Sequence, residues 1–280
     1  MKIGVVGAGT MGCGIAQVFA ATQGYTVVLC DVKKEFAERG CQKIAATFDK
    51  LVQKGKLSQE LADKSVASIE AAELQDLRDC DLIVEAVLED PVMKAKLFAD
   101  LNAICKPETV FASNTSSLSI TELGTKGGRP VVGMHFFNPV PVMKLVEVVA
   151  GIHTKHEDIE LVKRVAEDIG KTPIEVNEQA SFVVNRILIT MINEAVGVLA
   201  DGVATAENID LAMRLGANHP MGPLALGDLI GLDVVLAIME VQFSETGDTK
   251  YRPHPLLRKM VRGGLLGRKT GRGFFVYDQK

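Results

Sequence analysis

The chain has 280 residues, enough for one large or two modest domains. Hydrophobic residues make up 47% and charged residues 24%, the balance of a folded globular protein rather than a disordered one. A formal net charge of −4 argues against a nucleic-acid partner, and no uninterrupted apolar run reaches the roughly 18 residues of a membrane span.

The first strand-like stretch begins at Lys2 and the glycine-rich loop follows at once, so no signal-peptide pattern is read at the start. The five cysteines (Cys13, Cys30, Cys41, Cys80, Cys105) are odd in number and include no Cys-x-x-Cys pair. They are read as small core residues rather than metal ligands or disulfides, which points to a reducing cytosol.

Strands are predicted at Lys2–Val6, Thr26–Cys30, Leu82–Glu85, Thr109–Ser113 and Val131–His135. They are short, rich in Val and Ile and not alternating, the pattern of strands buried on both faces. Helices such as Met11–Thr22 and Val92–Ile104 lie between them. This alternation predicts an α/β fold, a doubly wound, mostly parallel Rossmann-type sheet, over residues 1–180. The interval from Glu35 to Ser65 reads as a helical hairpin projecting from the sheet, with its turn at Gly55. From residue 181 to 280 the pattern becomes helical. Phe182–Ala200 reads as a long helix ended by Gly202, and Thr205 as the cap of the next. Leu224–Phe243 reads as one helix, apolar over most of its circumference, which must be buried. A small helical domain has limited means to bury it alone, so a homodimer through these C-terminal helices is expected. The one further strand candidate there is Gly273–Tyr277.

Gly7-Ala8-Gly9-Thr10-Met11-Gly12 sits between the first strand and a helix of small residues. In that context the first Gly permits a tight turn, the second lets the backbone approach a pyrophosphate, and the third lets helix pack on strand. The helix N-terminus then faces the anion. The second strand ends at Asp31, where a carboxylate would bind a ribose hydroxyl and repel a 2′-phosphate. The cofactor read from these residues is NAD, although Lys33 and Lys34 beside Asp31 leave room for NADP.

His135 ends a buried strand, the position where doubly wound sheets bind ligands. After Phe136-Phe137-Asn138-Pro139-Val140-Pro141-Val142, a turn-forming stretch, a further strand is predicted at Lys144–Val149 with Glu147 inside it. In a hairpin centred on Pro141, His135 and Glu147 are equidistant from the centre and become cross-strand partners. A carboxylate beside an imidazole orients it and stabilises the imidazolium, as a dehydrogenase base requires. From spacing alone, a core histidine and an unrelated surface glutamate fit as well. His153 and His156 lie in a charged segment with no third ligand apparent, so no metal site is read there.

Several segments together resemble the L-3-hydroxyacyl-CoA dehydrogenase family, and within it the short bacterial 3-hydroxybutyryl-CoA dehydrogenases. They are Gly7–Gly14, Ala112–Ser117 (ASNTSS), Met134–Glu147 (MHFFNPVPVMKLVE), Phe182–Arg186 (FVVNR), Ala217–Asp233 (ANHPMGPLALGDLIGLD) and Gly267–Gly271 (GRKTG). The resemblance implies interconversion of a 3-hydroxyacyl-CoA and a 3-ketoacyl-CoA with NAD, on a four-carbon acyl group, in the direction of butyrate in a fermentative bacterium. It places the catalytic pair on His135 and Glu147, and polar substrate-positioning roles on Ser116 and Asn185. Besides the glycine loop, it carries cofactor contacts to Asp31, Glu89, Lys94, Ser116, Asn138 and Lys269. It carries the coenzyme A contact to Lys54, with Lys50 and Lys56 beside it; without the resemblance these lysines read as a solvated helix face. Thr47 stands where relatives often have Ser, and Pro91 falls close to Glu89. Two other readings are weighed. A 6-phosphogluconate type of β-hydroxyacid dehydrogenase would rely on a catalytic Lys in the helical domain, against the HFFNP…Glu stretch. A non-catalytic NAD-binding protein of the same fold would have no use for an intact His135–Glu147 pair.

Overall fold

The computed structural model describes residues 1–278, which divide into two compact units, Met1–Gln179 and Ala180 onward. The first unit runs β1 (Lys2–Val6), α1 (Thr10–Ala20), β2 (Thr26–Cys30), α2 (Lys34–Gln53), α3 (Gln59–Ala67), β3 (Ile69–Ala72), β4 (Leu82–Glu85), α4 (Pro91–Ile104), β5 (Val110–Ser113), α5 (Ile120–Gly127), β6 (Val131–Phe136), β7 (Leu145–Ala150), α6 (His156–Asp168) and β8 (Thr172–Asn177). Its eight strands form one sheet in the order β3-β2-β1-β4-β5-β6-β7-β8. Every pairing is parallel except β6 with β7. The order reverses at β1, between β2 and β4, and such a switch point opens a crevice at the carboxyl ends of the strands.

The predicted doubly wound sheet is therefore present. The central strands are buried on both faces, with Ile3, Val5, Leu29, Leu82, Val84, Ala112 and Val132 all closed from solvent. Parallel sheets need helices on both faces for this reason. Two edge strands escape the sequence reading. β3 (IEAA) is built of residues that favour helices, and β8 (TPIEVN) carries a proline that an edge strand alone tolerates. Both lie at the margins of the sheet, where little burial marks them.

The α2–α3 hairpin turns at Gly55, which has φ +65°. Rather than standing clear of the sheet, α2 inserts Ala37, Ile44 and Phe48 into the main core. Ser58 caps α3 by accepting from the Leu61 N–H. Asp90 caps α4 in the same way from Met93 N–H, and Pro91 occupies the first helical position, where its missing donor is harmless.

The second unit contains α7 (Val184–Ala200), α8 (Ala206–Gly216), α9 (Pro223–Ile230), α10 (Leu232–Thr246) and α11 (Pro255–Arg262). α7 starts two residues later than predicted, because Ser181 and Phe182 both adopt positive φ. Thr205 caps α8 as expected, accepting from Asn208 N–H. The single helix expected over Leu224–Phe243 is instead two, broken at Gly231 with φ +104°. Its apolar residues Leu224, Leu232, Val235, Ile238 and Met239 are buried within the unit's own core with Ile189, Ile192 and Leu257. Gly273–Tyr277 forms no strand; isolated bridges join Gly267 to Arg272 and Arg272 to Val276. This tail is held by Asp228, which is 1% exposed and accepts from Phe274 N–H, Phe275 N–H and the Tyr277 hydroxyl, each at 3.0 Å. No described helix is long and apolar enough to cross a membrane.

Asp228→Ala strands three donors that lose their acceptor, and stability falls by about 2–4 kcal/mol. Urea denaturation measures this loss, and limited proteolysis locates the first new cut within residues 267–277.

Candidate active site

The glycine loop joins β1 to α1, and the three glycines differ in what surrounds them. Gly7 has φ +110°, and a Cβ there would lie 2.5 Å from the Ala86 carbonyl oxygen. A Cβ on Gly12 would lie 1.7 Å from the Gly7 carbonyl oxygen. Gly9 faces open space, with nothing within 4 Å. The first and third glycines thus serve the protein's own packing, and the second leaves room for a ligand. The first turn of α1 carries no side-chain cap, so its N–H groups are directed at whatever fills that room.

A cavity of about 1300 Å³ opens here, lined by Gly7, Gly9, Thr10, Met11, Asp31 and Val32 together with Leu74, Val87, Leu88 and Met93. Space at Gly9, uncapped amides and an acidic residue on one cavity fit a dinucleotide. Asp31 follows β2, and its carboxylate accepts from Ala8 N–H at 2.6 Å and Val32 N–H at 2.7 Å. It therefore braces the glycine loop across the sheet, a contact that the motif does not announce.

His135 and Glu147 face each other across the antiparallel β6–β7 pair, in register as Cα partners. His135 Nδ1 lies 2.7 Å from Glu147 Oε2, and both side chains are buried. The spacing about Pro141 is realised as a cross-strand hydrogen bond. With Nδ1 committed to the carboxylate, proton exchange falls to the opposite ring nitrogen, Nε2. Phe137 packs against the imidazole with ring centroids 4.5 Å apart.

Ser116 lies in the loop after β5. Glu89, in the loop before α4, accepts from Thr115 Oγ1 (2.6 Å) and Ser116 N–H (2.8 Å). Lys94 on α4 is 1% exposed, and its ammonium lies 2.7 Å from Glu85 and 3.1 Å from Glu89. Burial pushes the Glu89 carboxyl upward, but the Lys94 ammonium and the Thr115 and Ser116 hydrogen bonds outweigh it and hold Glu89 below the usual glutamate range. Asn114 accepts from Phe136 N–H at 2.8 Å, tying this loop to the strand of His135.

Asn138 is exposed, joined to Pro139 by a cis peptide bond. It lines a smaller cleft of about 190 Å³ with Thr10, Lys43, Thr47 and Pro141. The turn behind it is held by Lys171, a buried lysine that donates to the carbonyls of Val140 (2.5 Å) and Met143 (2.8 Å). Burial pulls the Lys171 ammonium below its ordinary pKa, and neighbouring Lys144 adds to this. Lys54 is the C-cap that follows α2, and Lys50, Lys54 and Lys56 are all exposed. In the second unit, Asn185 is the second residue of α7, and Lys269 is paired with Asp233 at 2.6 Å. Burial raises all five cysteine thiols, Cys30 and Cys80 to about 12, which keeps them protonated and unreactive. His153 and His156 are exposed, and no group of three potential metal ligands occurs among the described residues.

Motif reading missed Glu85, Asn114, Thr115 and Lys171. For Glu85 the one available signal was an acidic residue closing an otherwise apolar strand.

A glycine loop and ribose-type carboxylate on a doubly wound sheet, with a buried imidazole–carboxylate pair on the same sheet, define an oxidoreductase that uses a nicotinamide dinucleotide. Residues 2–179 match the family profile described as 3-hydroxyacyl-CoA dehydrogenase, NAD binding domain, and residues 182–277 match its C-terminal domain. The chain belongs to the 3-hydroxyacyl-CoA dehydrogenase family. It is 54% identical over 280 residues to a probable 3-hydroxybutyryl-CoA dehydrogenase of Deinococcus radiodurans, covering 99% of this chain and 100% of that protein. It is 52% identical over 282 residues to the 3-hydroxybutyryl-CoA dehydrogenase of Clostridioides difficile, with both chains covered in full. The crystal structure of (S)-3-hydroxybutyryl-CoA dehydrogenase from Ralstonia eutropha matches with a TM-score of 0.96 at 46% identity, over 99% of each chain.

The glycines separate by experiment. Gly9→Ala folds with an unchanged melting temperature but binds NADH at least roughly tenfold more weakly, as fluorescence titration reads. Gly12→Ala drives a methyl into the Gly7 carbonyl, and its melting temperature drops sharply.

Proposed function

We propose that this protein interconverts 3-hydroxybutyryl-CoA and acetoacetyl-CoA, using His135 as the general acid–base and Glu147 as the group that orients it. The observation that carries the reading is the 2.7 Å contact between His135 Nδ1 and Glu147 Oε2 at the carboxyl end of β6. The four-carbon acyl group is supported by relatives of about half identity that carry that name over their full length.

When bound, NAD supplies the acceptor or donor for the hydride at C3. Gly7, Gly9 and the amides of Thr10–Gly12 would hold its pyrophosphate, and Asp31 its ribose. In the oxidative direction, His135 Nε2 takes the proton of the 3-hydroxyl group; in the reductive direction it returns that proton. Glu147 stabilises the imidazolium between these events. Ser116 and Asn185 hydrogen-bond substrate oxygens. Glu89, Lys94, Asn138 and Lys269 serve the cofactor side, and Lys54 binds the coenzyme A phosphates as a point charge.

We further infer a homodimer and a cytoplasmic location. The apolar surface that supports association is not the helix pair α9–α10, whose apolar residues largely fill their own core. It lies on α7 and α8, where Ile187 is 67% and Leu215 78% exposed. Sedimentation velocity finds a dimer, and Leu211→Glu/Leu215→Glu sediments as a monomer; a wild-type monomer overturns this assignment.

Replacing His135 by Ala lowers kcat for NADH oxidation with acetoacetyl-CoA by about 10²–10⁴-fold, with NADH affinity unchanged. Near-normal turnover in that variant would refute the acid–base role. No NADH oxidation by the wild type with acetoacetyl-CoA or a longer 3-ketoacyl-CoA would refute the activity.

A further inference from the structure

Glu85 closes β4 and is completely buried. Three donors converge on its carboxylate. Oε1 accepts from the Lys94 ammonium and from Val87 N–H, both at 2.7 Å, and Oε2 accepts from Ser113 Oγ at 2.6 Å. All three partners are donors, so a carboxylate satisfies the site, whereas an amide would set its own NH₂ against one of them.

Two separate routes lead from this carboxylate to the loop that carries Ser116. In the first, Ser113 Oγ is held by Glu85 and accepts from Thr115 N–H at 3.2 Å. In the second, Lys94 is held by Glu85 and lies 3.1 Å from Glu89 Oε2. Glu89 Oε1 in turn accepts from Ser116 N–H at 2.8 Å and from Thr115 Oγ1 at 2.6 Å. The Asn114 N–H adds a main-chain tie to the Glu85 carbonyl at 2.8 Å. A segment fixed through both ends of one buried charge has little freedom to shift.

Lys94 is 1% exposed, so its ammonium is enclosed by these carboxylates rather than presented to a ligand. Its contribution to the cofactor side of the site is then indirect, through the placement of Glu89.

We propose that Glu85 is a positioning residue for the reaction: it fixes Ser116 by clamping Lys94 and Ser113 at once. This rests on the substrate role given to Ser116 above. A residue that only supported the sheet would act on stability throughout the unit. A positioning residue acts on one loop and on turnover.

The test compares the wild type with Glu85→Gln and with Glu85→Gln/Lys94→Met, which removes the ammonium together with the Glu85 charge; no unpaired buried cation is left, and Glu89 keeps its Thr115 and Ser116 donors. Hydrogen–deuterium exchange is followed at residues 114–117 and, as an internal reference, at residues 131–135 of β6, which leaves out Phe136 because its N–H donates to Asn114. Exchange at 114–117 is expected to accelerate at least tenfold while the reference stays unchanged. kcat with acetoacetyl-CoA is expected to fall roughly 10- to 100-fold, as for a misplaced site group. In a cycle with Ser116→Ala, the two losses are expected to be strongly non-additive. Unchanged exchange at 114–117, equal acceleration in β6, or additive losses in kcat overturns the proposal. If Ser116→Ala alone leaves turnover intact, the substrate role of Ser116 falls, and the exchange pattern still decides whether Glu85 fixes the loop.

Discussion

Strands sealed on both faces admit polar side chains only at their ends, and the chemistry of the large unit depends on that constraint. Asp31 follows β2, Glu85 closes β4, Ser113 closes β5, and His135 is the last residue but one of β6. Because β1, β2, β4, β5 and β6 run parallel, all of these positions fall on one edge of the sheet. Helices on both faces keep that edge the one place where a buried strand can present charge beside a cavity. The antiparallel β7 then brings Glu147 back past His135, which a further parallel strand in the same position could not do by a short turn.

Within this arrangement the buried charges are of two kinds. Glu147 and Glu85 are closed from solvent and matched by donors, the imidazole in one case and an ammonium, an amide and a hydroxyl in the other. Lys171 donates to two main-chain carbonyls, and no carboxylate among the described residues is a hydrogen-bond partner of it. The first kind holds groups for which proton exchange or substrate contact is proposed above. The second shapes a turn, the segment from Val140 to Met143 behind Asn138. A buried charge is weak evidence for stability in either case, and stronger evidence that a geometry is specified.

Much of this was legible in the sequence, for physical reasons that can be named. The central strands are continuous apolar runs because both faces are covered. Equal spacing about Pro141 made His135 and Glu147 candidate partners, since hairpin pairing converts spacing into contact, but only the resemblance chose that reading over an unrelated pair. The edge strands β3 and β8 were missed because an edge is only half buried, so Ala, Glu and Pro are tolerated there. The break at Gly231 was missed because apolar residues continue on both sides of it, and periodicity does not register a single φ of +104°. The partners of Lys94 could not be read at all. Glu85 lies nine residues upstream on a strand, and only the β4–α4 crossover brings the two together.

The brace from Asp31 to the Ala8 amide has a bearing on how cofactor preference could change. The carboxylate that would discriminate against a 2′-phosphate also holds the glycine loop through the Ala8 N–H, a contact that needs no ligand. That lowers the ordering entropy lost on binding. Exchanging Asp31 for a smaller or basic residue would therefore alter selectivity and relax the loop in one step. With the proposed selectivity and the observed brace on a single side chain, a lineage moving toward NADP would need a second change to restore the support under Ala8.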